Sequence, residues 1–369
     1  MSRGEETPVF SWKSGGPSSA KLGVALLGAT GVVGQNIARL LRGHPFLRLD
    51  EVVASERSTH RAYGDLVEIA DDVTADLRLM APGAQLDSPL VLSALPCPAA
   101  RKLEPEYARR GHLVCSNASA FRDDPQVPLL VPEINADSLA LLDTQEWLGG
   151  LITNPNCVVS GLSLALAPLH ERHGIETVTI VTMQALSGAG RRGLSAWDTN
   201  ANVIPHIAGE AEKIPAEIHK ILDSDFPVSV QVNRVPVLDG HLASVFVRLR
   251  DGASLEAIKS TLRDFAAAGG AAGLPTAPVA PLQLLDFPDR PQPRVDLDAG
   301  SGMTVSVGSF AADPVYDGCF TVLVHNLIRG AAGACVLNAE LAVSSDWAGT
   351  MLANVDRQYS TTESPTSMY

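Results

Sequence analysis

The chain has 369 residues, of which 46% are hydrophobic, 19% charged and only 5% aromatic. That length permits two domains, each able to bury most of its apolar surface, with cores resting on Leu, Val, Ile and Ala. A net charge of −13 leaves no basic face to offset phosphate repulsion, which argues against nucleic acid. An anionic small molecule stays open, because a few Arg and Lys can dominate the field of a cleft. No apolar run approaches the ~20 residues that a spanning helix requires, so no membrane is expected.

Residues 1–20 are rich in Ser, Gly, Glu and Pro without an apolar stretch, and are expected to be a disordered leader rather than a signal peptide. From residue 21 short apolar runs alternate with amphipathic stretches. The run 22–27 predicts a buried strand and 33–42 a helix. Between them stands Gly28-Ala29-Thr30-Gly31-Val32-Val33-Gly34. Glycines at this spacing allow a tight turn, close approach of backbone to a pyrophosphate, and close helix–strand packing. The helix N-terminus then turns its free N–H groups towards the anion. Gly28, Thr30, Gly31, Val32 and Val33 are therefore expected to bind a dinucleotide.

A second strand is predicted at 47–54. It runs into Ser55-Glu56-Arg57-Ser58. Glu56 could take a ribose 2′-OH, as in NAD enzymes, but Arg57 between Ser55 and Ser58 makes a better cradle for a 2′-phosphate. NADP is the expected cofactor. Further on, 89–95 predicts a strand ending at Pro96, 99–110 a helix stopped by Gly111, and 112–116 another strand. This alternation predicts a parallel, doubly wound, Rossmann-like sheet.

After Asn154-Pro155-Asn156 the pattern changes. Cys157 opens a helix predicted over 158–172, where the positive end of the dipole would favour thiolate and lower the thiol pKa. A thiolate can attack an aldehyde carbon, and loss of hydride to a nicotinamide then leaves a thioester. The other four cysteines, at 97, 115, 319 and 335, sit in apolar contexts and read as core. Five cysteines without CxxC or Cys/His spacing predict a reduced, cytoplasmic chain and no metal site. The β-rich stretches 176–184, 228–236 and 242–249 predict an α+β second domain with a large sheet or dimer surface. A helix is expected at 254–268, a loop at 269–281, and strands at 303–310 and 320–325. A final helix, 326–341, is expected to return to the first domain. The chain thus divides into a dinucleotide domain of 21–155 with about 326–358, a catalytic and dimerisation domain of 156–325, and a mobile tail from 359 to 369.

Taken together, the segments 28–35, 54–58, 116–122, 127–135, 154–157, 182–190, 204–214, 233–241 and 329–340 resemble, in order and spacing, aspartate-semialdehyde dehydrogenase of the archaeal/fungal branch. The resemblance runs from about residue 21 to 341. It implies Cys157 as nucleophile, Gln184 as the residue orienting substrate beside it, and His241 as the acid/base. It implies Arg234 as the fork for the substrate carboxylate, Glu210 for its amino group, and Lys213, Arg122 and Asn156 for phosphate. Ser187 and Gly188 are implied near the cofactor, and Asn326 beside the nicotinamide.

Lys213, three residues after Glu210, shares a helical face with it. Arg234 and His241 are separated by an odd number of residues, so within one strand they would face opposite ways. A turn over 236–240 is expected to bring both to one ligand.

The chain departs from the family at Ser309-Phe310, where a basic residue is usual, at Arg191-Arg192, and at His206. The implied reaction is phosphate-dependent oxidation of L-aspartate 4-semialdehyde by NADP in a homodimer or homotetramer. Malonyl-CoA reductase and N-acetyl-glutamyl-phosphate reductase share the fold logic. A dinucleotide-binding protein without turnover is the rival from another class.

Overall fold

The computed structural model describes residues 21–67, 73–190, 193–265, 271 and 273–345. The leader, the tail, Arg191-Arg192 and the end of the helix expected at 254–268 lie outside the described residues. Two six-stranded sheets organise the rest.

The first sheet is wholly parallel. It contains β1 (Leu22–Leu27), β2 (Leu47–Val53), β3 (Leu79–Met80), β4 (Leu90–Ser93), β5 (Leu113–Ser116) and β6 (Gly150–Thr153), in the order β3-β2-β1-β4-β5-β6. Strand order reverses on either side of β1, so the crevice at its carboxyl end is where such a sheet takes a ligand. Helix α1 (Val32–Leu41) packs on one face and α2 (Cys97–Arg109) on the other. The sequence reading missed β3 and β6. The two residues of β3 are too few for a periodicity to show, and Gly149-Gly150 at the start of β6 reads locally as a turn; pairing with the neighbouring strands recruits both.

The second sheet is mixed. Its strands are β7 (Ile175–Gln184), β8 (Val228–Arg234), β9 (His241–Leu249), β10 (Leu282–Leu285), β11 (Val305–Ala311) and β12 (Gly318–Val324), in the order β10-β11-β12-β9-β7-β8. Burial alternates strictly along β9, from His241 to Leu249, as period-2 side chains require. The buried set, with Ala243, Val245 and Val247, packs on α3 (Val159–His173), α4 (Glu210–Leu222) and α5 (Leu255–Asp264). Leu162, Leu164, Leu166 and Leu169 of α3 are fully buried there, each contributing about 1.5–3 kcal/mol. Helix α3 is buried almost all round, because it lies between this sheet and the segment returning to the first.

That return differs from a plain helix. A π-helical turn, Ile328–Ala332, precedes α6 (Gly333–Ser344). The Gly330 and Ala332 N–H groups reach back to the carbonyls of His325 and Leu327, at 3.0 and 2.9 Å. Helix α6 then packs against α1, β4 and β5, with Val336 and Leu337 fully buried beside Val24 and Leu26 of β1. Among the described residues no helix is long and apolar enough to cross a membrane.

Candidate active site

A cleft of about 720 Å³ opens between the two sheets, within the range of small-molecule sites. Thr30, Gly31, Val32 and Val33 line one side, Ser187, Gly188 and Gly190 the other, and Cys157 and Gly330 the depth. Gly28 has φ +72°, and a Cβ there would lie 2.6 Å from the Ala94 carbonyl oxygen, so only glycine lets this loop pass beneath the end of β4. The N-terminus of α1 carries no side-chain cap and no acid in its first turn. Its free N–H groups are therefore available to an anion in the cleft.

Gly28 and Ala29 both donate to the Val53 carbonyl, at 2.9 and 3.1 Å. This puts the end of β2, and the single turn Glu56–Ser58 that follows it, beside the glycine loop. Ser55, Glu56 and Arg57 are exposed there and Ser58 is half-buried. A phosphate-bearing dinucleotide fits these donors.

At the depth of the cleft, His241 Nε2 stands 3.1 Å from Cys157 Sγ. The Ala185 N–H donates to His241 Nδ1 at 3.0 Å, so the neutral ring carries its proton on Nε2, facing the sulfur. Burial holds His241 well down, at about 3, with Arg234 and His325 adding to the effect. The thiol departs from the expectation of a lowered pKa. Burial pushes it up to about 12 and Glu210 adds to this, while Arg122 and Arg234 oppose. Cys157 lies two residues before the first residue of α3, and the N–H of Val158 is taken by Asn156 Oδ1 at 3.0 Å. Desolvation of the anion therefore outweighs the helix end.

Gln184 and Arg234 are register partners at the ends of β7 and β8, and both are buried. Arg234 Nη1 donates to the Ala185 carbonyl at 2.6 Å, and burial draws its guanidinium below the ordinary value. A Cβ on Gly188 would meet Arg234 Nη1 at 3.0 Å and His241 Nε2 at 3.1 Å, so the two side chains converge on that glycine. The connection between them is not the expected local turn. Because β7 lies between β8 and β9, residues after Arg234 cross over its end. Val235 N–H bonds the Gln184 carbonyl, and the N–H groups of Leu186 and Ser187 bond the carbonyls of Val237 and Leu238. Asn326 closes this crossing, donating to Ser187 Oγ and accepting from Gly240 N–H, both at 2.8 Å.

One face of α4 supplies the charged wall. Glu210 Oε2 accepts from Asn156 Nδ2 at 2.7 Å and from Gln184 Nε2 at 3.3 Å. Lys213 Nζ lies 4.0 Å from Glu210 Oε1 and remains 43% exposed to the cleft. Two turns on, Glu217 binds Arg122 Nη1 at 3.0 Å and the Asn156 N–H at 2.5 Å. Lys220 donates to the carbonyls of Arg122, Asp124 and Val127.

Sequence reasoning missed Glu217, and also Asn117 and Ser119, which line the cleft. The spacing of Glu210, Lys213, Glu217 and Lys220 by three, four and three residues is one helical face and could have shown the first of them. Two cysteines read as core also differ. Cys97 lines the cleft at the start of α2, and Cys319 is half-buried on the sheet face of β12. Both stand at element edges, where an apolar neighbourhood in sequence does not enclose the side chain in space.

Comparison with known proteins agrees with this architecture. Residues 23–142 match the semialdehyde dehydrogenase NAD binding domain, and residues 166–329 the semialdehyde dehydrogenase dimerisation domain. The chain is 40% identical to aspartate-semialdehyde dehydrogenase of Archaeoglobus fulgidus over 339 residues, covering 87% of this chain and 97% of that protein. It is 38% identical to the Aspergillus fumigatus enzyme over 348 residues, covering 86% and 96%. The solved structure of aspartate semialdehyde dehydrogenase with NADP from Candida albicans superposes with a TM-score of 0.80 at 33% identity, covering 90% of this chain and all of that one. With its parallel nucleotide-type sheet, its mixed second sheet and this likeness along nearly its whole length, the chain belongs to the aspartate-semialdehyde dehydrogenase family, oxidoreductases that act on an aldehyde.

Proposed function

We propose that this enzyme catalyses the reversible, phosphate-dependent oxidation of L-aspartate 4-semialdehyde to 4-phospho-L-aspartate with NADP, through a thioester on Cys157. The observation that carries the reading is the 3.1 Å approach of Cys157 Sγ to His241 Nε2, in a cleft also lined by Arg122, Asn156, Glu210 and Lys213. Run in reverse, the reaction supplies semialdehyde for lysine, methionine and threonine synthesis.

Attack of Sγ on the aldehyde carbon forms the C–S bond as the carbonyl pair moves to oxygen, and the thiol proton passes through solvent in the cleft to that oxygen, giving the hemithioacetal. His241 Nε2–H donates a hydrogen bond to whichever atom bears negative charge, the sulfur first and the hemithioacetal oxygen next, whose proton leaves to solvent as the hydride departs. Gln184 orients the carbonyl, Arg234 takes the α-carboxylate as a two-pronged donor, and Glu210 takes the amino group. Gly28, Thr30, Gly31, Val32, Val33, Ser187, Gly188 and Asn326 would hold NADP, with Ser55, Arg57 and Ser58 for its 2′-phosphate, and the bound nicotinamide would supply the hydride acceptor. Phosphate placed by Arg122, Lys213 and Asn156 attacks the thioester carbonyl and expels the sulfur. The same reading assigns nucleotide binding to 21–155 with 326–358, and catalysis and dimerisation to 156–325, in a cytoplasmic homodimer or homotetramer.

The test is NADPH formation from aspartate semialdehyde with and without phosphate, beside reduction of malonyl-CoA. Strong phosphate dependence with NADP preferred over NAD supports the reading. Turnover of malonyl-CoA in place of the semialdehyde would make the chain a CoA-thioester reductase instead.

A further inference from the structure

We propose that Glu217 is a positioning residue that holds the nucleophile loop and the anion-binding arm in register. The proposal rests on the reading of Cys157 as nucleophile and Arg122 as a phosphate ligand. The Glu217 carboxylate is buried, and its two oxygens serve two different segments. Oε2 accepts the Asn156 N–H at 2.5 Å, one residue before Cys157, while Oε1 accepts Arg122 Nη1 at 3.0 Å.

Further contacts limit both segments. Asn156 Oδ1 takes the Val158 N–H and Asn156 Nδ2 reaches Glu210, so the backbone around Cys157 is gripped on both sides. Arg122 Nη2 donates to the Asn117 carbonyl at 2.9 Å, which fixes the plane of the guanidinium. Its Nε is buried and has no partner among the described residues, so the directed donor on that nitrogen is left over. Lys220, one turn further along α4, ties down the backbone of the Arg122 loop through three carbonyls.

A carboxylate is the group that can do this. It accepts at two oxygens without donating, so it satisfies a backbone N–H and a cation at once. An amide would keep an acceptor for Asn156 but present N–H groups to Arg122. The buried charge is neutralised by Arg122 and cannot be removed without leaving that cation unpaired. Glu217 is not aimed at substrate. It acts through Asn156 and Arg122, and so differs from Glu210 on the same helical face.

The two arms separate in kinetics. Glu217→Gln should raise the KM for phosphate about tenfold, the loss of one charge-assisted contact, with the KM for semialdehyde and kcat within about threefold. Glu217→Ala, which also frees the Asn156 N–H, should lower kcat about a hundredfold, as misplacement of a reacting group does. In an Arg122→Gln background, Glu217→Gln should add little to the phosphate KM, because the two act as one unit. NADPH binding and cooperative unfolding are followed as folding controls. Glu217→Asp, which keeps the charge but is one methylene too short for both donors, repeats the test if the alanine variant does not fold.

Equal effects of Gln and Ala on kcat, together with additive effects of Glu217→Gln and Arg122→Gln on the phosphate KM, would overturn the proposal. Wild-type turnover that needs no phosphate would instead count against the reaction proposed above. The Gln-against-Ala contrast in kcat would still decide the Asn156 arm.

Discussion

Cys157 and His241 are 84 residues apart in the chain, and neither has a reactive resting state of its own. The sulfur is held protonated by desolvation, and the imidazole is kept neutral by burial and by the Ala185 N–H on its far nitrogen. A thiol raised to about 12 loses its proton only as pH climbs towards that value. Alkylation of Cys157 in the free enzyme should therefore rise with pH, close to tenfold per unit between about pH 7 and 9. Iodoacetamide rates across that range measure it, and a flat profile would mean a preformed thiolate–imidazolium pair. Cys157→Ala should abolish turnover while leaving NADP binding intact, and residual turnover near the wild-type level would eliminate the covalent route.

Gly330 makes a second residue-scale prediction. A Cβ there would lie 2.7 Å from the Cys157 Cβ and 2.8 Å from its Cα, and the obstacle is backbone rather than a flexible side-chain tip. Gly330→Ala should cost about 10–100-fold in kcat, with NADPH binding unchanged by fluorescence titration.

At the scale of elements, the π-helical turn Ile328–Ala332 is what carries Gly330 against the nucleophile. The turn is anchored by Arg329, whose guanidinium makes two bonds, at 2.6 and 2.7 Å, to a Glu133 as fully buried as itself. Breaking such a pair strands a charge in the interior. Glu133→Gln should destabilise the protein by about 3–5 kcal/mol, read from urea unfolding midpoints, and should lower kcat because Gly330 moves with the turn. Helix α4 shows how much of an element's role is visible in advance. Its Glu210–Lys213 spacing predicts a shared face, and the same face continues to Glu217 and Lys220. No spacing tells that Glu217 reaches across 61 residues to the Asn156 N–H. Likewise the odd separation of Arg234 and His241 signals that something must intervene. That it is a strand crossing, and not a tight turn, depends on β7 lying between β8 and β9.

For the whole molecule, the helices that pack on the second sheet lie, among the described residues, on one face. On the other, Val181, Met183, Leu242 and Phe246 are half-buried in a single chain, within the segment that matches a dimerisation domain. Apolar strand positions of this kind belong against a second copy. The purified protein should therefore run at a multiple of 38.8 kDa in light scattering. Val181→Asp, by burying a charge at that face, should shift it towards monomer and lower the unfolding midpoint. A mass equal to one chain for the wild type would refute this assignment.

Local order along the chain fixes what local physics can decide. The strand–glycine loop–helix at 22–41, the alternation that gives a parallel sheet and the helix that follows Cys157 all follow from neighbouring residues, and the elements appear within a residue or two of their expected bounds. Only the tertiary structure decides the rest. The short strands β3 and β6 exist because adjacent edges need partners. Cys157 is half-buried against the cleft, and its state is set by the desolvation that distant segments impose around it, a many-body property that outweighs the helix end encoded beside it. Glu217 gains its role from two donors that no periodicity links to it.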